Sequence, residues 1–353
     1  MAAVGLAVAA NLRIATYNVE LQRKGPGLLL RDILRATDPK IAATVAVIGK
    51  TNPDVILLTG FDYDLGLAAL NAYAGALSIA GAEYPYLYAL RPNTGVATGL
   101  DLDGDGRLGG PGDAQGWGQF AGQGGMALLS RYPVDPAKSR DFTGYLWKDL
   151  PGSLMPGAGL TPAVQTIQRL PTTGHWDVAL NLPNAKILHL LAFFASPPVF
   201  DGPEDRNARR NHDEVAFWQA YIDGKLPMAP PDGAFVILGD ANLDPMDGNG
   251  RGDAMRALLA DRYLQDPAPT SSGAFAAALL PLNAGHRGEP GRATVVWDKS
   301  GQPGALRVDY VLPSAGLKVS GSGVFWPAAE EADGALVESA SRHRLVWVDV
   351  VPP

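Results

Sequence analysis

Residues 234–242 read AFVILGDAN. An apolar run of this kind is typical of a buried strand, and Asp240 and Asn242 follow where the chain leaves it. Open α/β sheets bind ligands beyond the carboxyl ends of their strands, so a carboxylate and an amide at this point can serve chemistry. The same tetrapeptide GDAN is also an ordinary turn capped by Asp. Whether GDAN belongs to a functional site or is only a turn therefore depends on the residues at the ends of the other strands.

Three further predicted strands carry polar side chains at their ends. Asn18 ends the strand in ATYNVE, Asp309 lies in VDYVLPS, and His343 precedes the last strand in SRHRLVWVDV. Strands that finish at the same end of a sheet bring their terminal residues close together. We therefore predict that these three residues converge on one cleft with Asp240 and Asn242.

Alternating and apolar runs predict the rest of the fold. Strands are predicted over residues 12–19, 54–58, 126–129, 175–182, 186–194, 234–238, 306–312 and 345–350, and helices within 28–51 and over 71–82, 211–222 and 253–259. The Gly-rich segment 92–125 is too long for a passive connection in a compact domain. Strands that cluster in two halves, each with helices, indicate two packed sheets with helices outside.

The order of these motifs, together with NPDVILL and GGMALLSRYPV, resembles the endonuclease/exonuclease/phosphatase superfamily, which has a deoxyribonuclease-like fold. The resemblance implies one domain over residues 12–353. It implies an α/β fold, a four-layered α/β sandwich in which two packed, mostly antiparallel sheets are flanked by helices. It also implies a phosphoester hydrolase assisted by a divalent cation such as Mg²⁺ or Mn²⁺.

The superfamily's catalytic roles carry over by motif. Its first Asn and an acidic residue after the second strand hold the cation, the GDxN Asp orients the attacking water, and the GDxN Asn contacts the phosphate. The terminal His stabilises or protonates transition-state oxygens. These roles fall on Asn18 as a metal ligand and on Asp240, Asn242 and His343 as catalytic residues, with Asp309 as a further catalytic candidate. Such a set supplies the positioning and charge neutralisation that phosphoryl transfer needs.

Three positions depart from the superfamily pattern. Gly60 stands where Glu is usual, Arg342 stands where Asp usually precedes the terminal His, and Phe194 stands where many members have His. The loss of two acids predicts weaker Mg²⁺ binding, because Mg²⁺ relies on hard oxygen ligands. Residues two apart on a strand share a face, so Glu20 and Asp62 are the predicted replacements as metal ligands.

The other two departures leave alternatives open. Arg342 can point into the cleft and clamp phosphate with its guanidinium fork, which makes it a catalytic candidate, or it can pair with a surface carboxylate. His175, in TTGHWDV, can replace the imidazole missing at Phe194, or it can be a structural histidine.

A second motif, DLDGDGR, begins at residue 101 within the long Gly-rich segment. Alternate carboxylates with Gly at the sixth place match the start of a calcium loop, in which the seventh residue offers its carbonyl. The twelfth residue is Gly112 rather than Glu, so the next residue is predicted to close the shell. The alternative is a solvated acidic loop. The predicted Ca²⁺ ligands, which would order the loop, are Asp101, Asp103, Asp105, Arg107 and Asp113.

Arg206 and Arg209 belong to a local basic cluster at the start of a predicted helix. In an acidic protein, such a cluster beside the predicted cleft can bind an anionic substrate. The alternative is a solvated helix start.

Composition limits the function further. The chain has 353 residues, a formal net charge of -7 and no cysteine. The charge disfavours a nucleic-acid partner, because no sequence-wide basic field exists to attract the phosphate backbone. Residues 1–11 begin MAAVGLAVAA, which is predicted to be the remnant of a signal peptide or a leader, and a periplasmic or secreted location follows from the first reading. No other segment is predicted to span a membrane, and the oligomeric state is not set by the sequence.

Three functions remain in order of preference. The first is a metal-assisted phosphomonoesterase or phosphodiesterase that acts on a small phosphorylated or extracellular substrate. The second is a catalytically degraded family member that binds a phosphate-like ligand in the same cleft. The third, a nuclease, is disfavoured by the negative charge.

Overall fold

The computed structural model describes residues 11–183, 185–299 and 301–353. The predicted signal-peptide remnant, apart from residue 11, lies outside the described residues. Among the described residues, no helix is both long and apolar enough to cross a bilayer.

The chain forms a mixed succession of strands and helices. The strands are β1 (Leu12–Asn18), β2 (Val55–Phe61), β3 (Tyr86–Tyr88), β4 (Gly125–Ser130), β5 (Arg140–Asp141), β6 (Gly174–Asn181), β7 (Ile187–Phe194), β8 (Ala234–Asp240), β9 (Val295–Trp297), β10 (Gly304–Leu306), β11 (Asp309–Pro313), β12 (Val319–Phe325) and β13 (Leu345–Val350). The helices are α1 (Leu28–Arg35), α2 (Pro39–Thr51), α3 (Ala68–Ile79), α4 (Pro162–Ile167), α5 (Arg206–Ile222), α6 (Asp253–Leu259), α7 (Ser272–Ala278) and α8 (Gly334–Ala340).

Two large sheets carry the fold. One has six strands in the order β12-β13-β1-β2-β4-β3, and the other has five in the order β11-β8-β7-β6-β5. All neighbours are antiparallel except β1 with β2 in the first sheet and β7 with β8 in the second. The predicted fold, two mostly antiparallel sheets flanked by helices, is confirmed.

Side-chain alternation divides the core into layers. On β7, Leu190 belongs to the core shared with the six-stranded sheet, whereas its neighbour Leu191 packs with α5 residues such as Phe217 and Trp218 on the outer side. Because successive strand residues face opposite sides, a strand covered on both faces becomes a continuous apolar run. This explains why the sequence ILHLLAFF of β7 is almost wholly buried.

Two elements differ from their predictions for local reasons. The helix predicted within residues 28–51 is divided into α1 and α2, because Asp38 caps a new helix by accepting hydrogen bonds from the backbone N–H groups of Lys40 and Ile41, and Pro39 sits at its first position. The strand predicted over 306–312 is divided into the end of β10 and β11, which starts at Asp309.

Candidate active site

Four distant segments meet at one end of the two sheets. Asn18 is the last residue of β1 in the six-stranded sheet, and Asp240 is the last residue of β8 in the five-stranded sheet. The antiparallel register places Asp309 of β11 directly opposite Asp240. His343 lies just before β13, which pairs with β1. The four side chains are all buried.

The contacts among these side chains are direct. The Asn18 amide Nδ2 donates to Asp240 Oδ2 across the two sheets at 2.8 Å. His343 Nδ1 lies 3.0 Å from Asp309 Oδ2 and 3.8 Å from Asp240 Oδ2. Thr294 Oγ1 donates to Asp309 Oδ2 at 2.8 Å. The structure therefore brings together residues that are more than 300 positions apart in sequence, and we call Asp240, Asp309 and His343 the acid–imidazole cluster.

The electrostatics of the acid–imidazole cluster follow from burial. Burial, followed by the neighbouring Asp309 carboxylate, raises the pKa of Asp240 well above its ordinary range. Burial alone would lower the pKa of His343, but Asp309 and Asp240 outweigh it and raise that pKa. At neutral pH the imidazole is therefore held protonated between carboxylates, and its Nε2 makes no hydrogen bond to any described residue.

Asn242 supports this arrangement from the turn that follows β8. It adopts a left-handed conformation with φ 49, its backbone N–H donates to Asp240 Oδ1 at 2.8 Å, and its Nδ2 donates to the carbonyl of Ala195 at 2.9 Å. Asn tolerates this conformation better than most residues, because its short polar side chain bonds locally. Nδ2 makes no other hydrogen bond within the described residues, and Asn242 is half-buried.

The acid–imidazole cluster has a donor set that fits a cation. Asp240, Asp309 and His343 each bring one ligand atom within 4.8 Å of the others. Asp309 Oδ1 is buried and has no hydrogen-bond partner among the described residues. An unsatisfied buried carboxylate oxygen is costly unless a proton, water or cation meets it. The chemistry of oxygen and imidazole ligands suits several divalent metals.

The backbone conformation at Gly60 and the space around it both favour glycine at this position. It adopts φ +68 at a register shift between β2 and β4, and a Cβ at this position would lie 2.6 Å from Asn18 Oδ1. Only Gly takes this conformation without strain. The backbone here is therefore built for Gly, and a Glu could not simply be restored at position 60.

Glu20 does not contribute to the cleft as a metal ligand, and the prediction is corrected here. The guanidinium of Arg342 donates twice to Glu20 Oε1, at 2.8 and 2.5 Å, while Oε2 accepts from the Arg342 backbone N–H, from Ser341 Oγ and from Lys40 Nζ. Burial alone would raise the pKa of Glu20, but the hydrogen bond from Arg342 and the nearby His343 lower it to about 2. Both oxygens are occupied by donors.

The same contacts correct the prediction for Arg342. Its side chain is 56% exposed and turned to Glu20 rather than into the cleft, which is the alternative reading in which it pairs with a carboxylate. We call this contact the Glu20–Arg342 pair. Arg342, which directly precedes His343, stands at the position where the superfamily pattern has Asp.

Asp62, the other predicted replacement ligand, uses both carboxylate oxygens in hydrogen bonds to the backbone. Its Oδ1 accepts from the backbone N–H of Gly124 and its Oδ2 from that of Arg23, both at 2.8 Å. Burial raises its pKa to about 6. Asp62 thus ties the loop after β2 to the segments on either side, because it satisfies two backbone N–H groups that would otherwise lack partners.

His175 is structural rather than a substitute imidazole for Phe194. It is completely buried, stacks on Trp218 with ring centroids 5.1 Å apart, and its Nε2 lies 2.9 Å from the Glu214 carbonyl. Burial lowers its pKa to about 4. The aromatic cluster around it leaves it on the helix side of the five-stranded sheet, away from the acid–imidazole cluster.

Arg206 and Arg209 hold loops instead of contacting the acid–imidazole cluster. Arg206 donates to the carbonyls of Leu102 and Ala158 at 2.7 and 3.3 Å, and Arg209 donates to the carbonyl of Glu204 at 3.0 Å. That Arg206 and Arg209 bind an anionic substrate stays a prediction. Arg206 links the start of α5 to the acidic loop that begins at residue 101.

That acidic loop is folded around its own carboxylates. Asp101 accepts from the backbone N–H groups of Gly104 and Gly106, Asp105 accepts from that of Arg107, and Asp113 accepts from those of Leu102 and Gly110. One carboxylate oxygen each from Asp101, Asp103 and Asp113 lies within 4.8 Å of the others. Asp105 and the Arg107 carbonyl, also predicted as ligands, do not belong to that group of three.

Sequence reasoning missed two contributors to the site. Thr294 donates to Asp309, and the Trp297 ring meets the His343 ring edge-on with centroids 5.6 Å apart. Both lie in or beside β9, a strand of three residues, which is too short to produce a clear pattern. The only available signal was the apolar triplet that follows Thr294.

Comparison with known proteins defines the family. The model of the Endonuclease/Exonuclease/phosphatase family matches residues 15–343. The chain therefore belongs to the Endonuclease/Exonuclease/phosphatase family, as its motif order indicated. A search of curated protein sequences returned no match.

Solved structures that resemble this chain share little sequence identity with it. An endonuclease/exonuclease/phosphatase from Beutenbergia cavernae DSM 12333 is 18% identical, with a TM-score of 0.55 over 97% of this chain and 72% of that one. An endonuclease/exonuclease/phosphatase family protein from Leptotrichia buccalis C-1013-b is 14% identical, with a TM-score of 0.49 over 96% and 99% of the two chains. Sphingomyelinase C from Streptomyces griseocarneus is 18% identical, with a TM-score of 0.46 over 96% and 99%.

Proposed function

We propose that this protein hydrolyses a phosphoester bond of a small phosphorylated substrate at the acid–imidazole cluster. The observation that carries the proposal is the convergence of buried Asp240, Asp309 and His343 with Asn18 at one end of both sheets. Family membership supports the reaction class. The net charge of -7 supports a small substrate over a nucleic acid.

The residues divide the chemistry between them. Asp240 takes a proton from the attacking water, and a raised pKa suits a base that must work near neutral pH. His343 is fixed through Nδ1 by Asp309, so its protonated Nε2 can donate to a phosphoryl oxygen where negative charge develops. The remaining Nδ2 hydrogen of Asn242 can donate to a second phosphoryl oxygen.

A divalent cation, when bound, would take the place of the Nδ1 proton of His343. It would then be held by Asp240, Asp309 and the deprotonated Nδ1, and it would neutralise charge on the phosphoryl oxygens. We propose Mn²⁺ ahead of Mg²⁺, because imidazole is a poorer ligand for the harder Mg²⁺. The Glu20–Arg342 pair leaves no free carboxylate oxygen for a second cation beside Asn18.

A hydrolysis panel tests the proposed function. Phosphomonoesters and phosphodiesters are assayed with Mg²⁺, Mn²⁺ or Ca²⁺ and again with chelator, with Asp240→Asn as the inactive reference. Turnover by the wild type that disappears in Asp240→Asn supports the proposal. Equal background hydrolysis by both proteins on every ester rejects it.

The second candidate is a phosphate-binding protein without turnover. The observation that favours it is the paired replacement of two metal-ligand acids by Gly60 and by Arg342 bound to Glu20. Under this alternative, calorimetry detects inorganic phosphate binding that His343→Asn weakens, while the panel shows no turnover. A nuclease is the least favoured activity, because the chain is acidic.

We also propose that the acidic loop binds Ca²⁺ in a structural role, with Asp101, Asp103 and Asp113 as ligands and with Asp105 and the Arg107 carbonyl completing the shell. A cation bound only by the folded state raises the melting temperature. We expect Ca²⁺ to raise it by about 2 °C or more over chelator, and Asp103→Asn to remove that shift. Asp232→Asn, at an exposed position outside the loop, should keep it. An unchanged melting temperature in the wild type would reject the calcium assignment.

A further inference from the structure

A cavity of about 660 Å³ lies beside the proposed active site, and none of the residues of the acid–imidazole cluster lines it. Its walls come from the loop after β8, from the segment between α7 and β9, and from the residues just before β11. The loop after β8 contributes Asp244 and Asp247, and the segment before β9 contributes His286 and Arg292. The volume falls within the range of small-molecule sites.

Short stretches of backbone link the lining of the cavity to the active site. Arg292 lies two residues before Thr294, whose hydroxyl donates to Asp309, and Arg307 lies two residues before Asp309 itself. Two residues of extended chain span at most about 7 Å. The backbones of Arg292 and Arg307, which line the cavity, therefore lie within about 7 Å of those of Thr294 and Asp309.

The carboxylates of the cavity are already neutralised or hydrogen-bonded. Both oxygens of Asp266 accept from the guanidinium of Arg307, at 2.7 and 2.6 Å. Asp244 accepts from three backbone N–H groups, including that of Arg307 at 2.8 Å. Asp247 accepts from the backbone N–H groups of Arg287 and Gly288. These acids shape the wall without offering free acceptors to a ligand.

Two donors in the cavity have no such commitment. The side chains of Arg292 and His286 are half-buried, and neither forms a side-chain hydrogen bond or a close ion pair within the described residues. The Arg292 charge contributes to lowering the pKa of Asp266, whose two oxygens are already bound by Arg307. Glu289 also lines the cavity, but it is exposed to solvent. Lining groups with unused hydrogen-bonding capacity are the ones that a ligand can engage, and a guanidinium matches phosphate or carboxylate oxygens.

We propose that this cavity is a second anion subsite, in which Arg292 and His286 bind a phosphate or carboxylate group on the same molecule as the scissile phosphoester. The substrate class is thus a small molecule with two anionic groups a few bonds apart. This inference rests on the proposed function for the position of the scissile group, and it adds the part of the substrate that determines specificity.

The test compares binding of two compounds that cannot be hydrolysed. Propylene diphosphonate carries two phosphonate groups and propyl phosphonate carries one. Calorimetry on the full chain should give at least about tenfold tighter binding of the diphosphonate, as expected for charge-assisted hydrogen bonds to a second anion. Arg292→Gln should lose that advantage and leave propyl phosphonate binding unchanged, and His286→Gln should lose part of it.

Arg262→Gln is the matched control, because it removes the same charge from an exposed arginine that contacts Tyr263 outside the cavity. Equal affinities of the wild type for the two compounds would overturn the subsite, as would equal losses in Arg292→Gln and Arg262→Gln. If Arg292→Gln does not fold, as judged by melting, His286→Gln decides the same question. A lack of turnover across the ester panel with the diphosphonate preference intact would reject the proposed function and leave the subsite standing.

Discussion

The acid–imidazole cluster and the Glu20–Arg342 pair lie side by side at the same end of the sheets, yet they differ in burial and in charge balance. Asp240, Asp309 and His343 are at most 3% exposed, whereas the Arg342 side chain is 56% exposed. Buried charges persist only when they are paired and hydrogen-bonded, so the cluster retains opposite charges in contact. In the Glu20–Arg342 pair, in contrast, both oxygens of the Glu20 carboxylate accept hydrogen bonds, so this carboxylate does not extend a metal site towards Asn18.

In this chain, the residues of the proposed active site therefore fall into two groups. The proposed catalytic residues Asp240, Asp309 and His343 are present, whereas Gly60 and Arg342 stand where the superfamily pattern has two acids. An acid at position 60 could not simply be restored, because the backbone conformation of Gly60 and the nearby Asn18 amide leave no room for a side chain.

The largest effect is expected at the acid–imidazole cluster. Asp240→Asn removes the base, so turnover of the best ester in the panel should fall by about 10² to 10⁴. Steady-state kinetics at saturating substrate measures this. Asp149→Asn, on the exposed partner of Lys148, is the control and should retain wild-type turnover. Unchanged turnover in Asp240→Asn would contradict the role of Asp240 as the base.

The next largest effect is expected on the stability of the protein and comes from His175, which is buried outside the acid–imidazole cluster. Its pKa is about 4 in the folded protein, below the ordinary 6.5, so its contribution to stability is complete above pH 6.5 and is lost as pH falls towards 4. The loss is on the order of 3 kcal/mol. Urea unfolding at pH 7 and pH 4.5 should show a smaller decrease in His175→Phe than in the wild type. A loss of turnover in this variant without a change in stability would instead assign His175 to catalysis.

Gly60 permits a sharper test with a matched glycine. Gly60→Ala should lower the free energy of unfolding by about 1–3 kcal/mol, because Ala is strained at φ +68 and its Cβ meets the Asn18 amide. Gly81→Ala, at φ +87 with nothing within 4 Å, should show the conformational cost alone. Denaturant unfolding of both variants isolates the contact with Asn18. Equal losses would mean that Asn18 does not restrict position 60.

The smallest effect is expected at the Glu20–Arg342 pair. Arg342→Met should cost less than about 1 kcal/mol at pH 7, because one partner is largely exposed. The pKa of Glu20, about 2 in the folded protein, lies below its ordinary 4.5, so the stability from the pair is present above pH 4.5 and is lost as pH falls towards 2. Unfolding measured at pH 7 and pH 3 should show a deficit that shrinks with acid. Arg31→Met, which breaks the exposed pair with Asp32, serves as the control.

The positions of the catalytic candidates could be predicted from the sequence because strand ends are visible in it. Asn18, Asp240 and Asp309 follow or begin apolar strands, and the topology of two packed sheets brings those ends together. The relation between the sheets needed only the family resemblance and the strand order. No side-chain conformation was needed for this part of the prediction.

Strand alternation did not predict which residues replace the missing acids. The predictions for Glu20 and Asp62 assumed that the two-residue period of a strand continues past the point where the regular strand ends. β1 ends at Asn18, and Glu20 adopts a left-handed conformation with φ 47, so the period of two no longer applies. The bulge at Gly60 breaks the alternation in the same way before Asp62. The rotamer of Arg342 and the cavity beside the site depend on tertiary packing that a single sequence does not display.

The most direct test of the account is anomalous diffraction from crystals soaked in Mn²⁺. The account predicts a Mn²⁺ peak within coordination distance of Asp240, Asp309 and His343, with Arg342 still bound to Glu20 and no peak between Asn18 and Glu20. A peak coordinated by Asn18 and Glu20, with Arg342 displaced into solvent, would contradict the division of the site into a retained acid–imidazole cluster and a lost metal position.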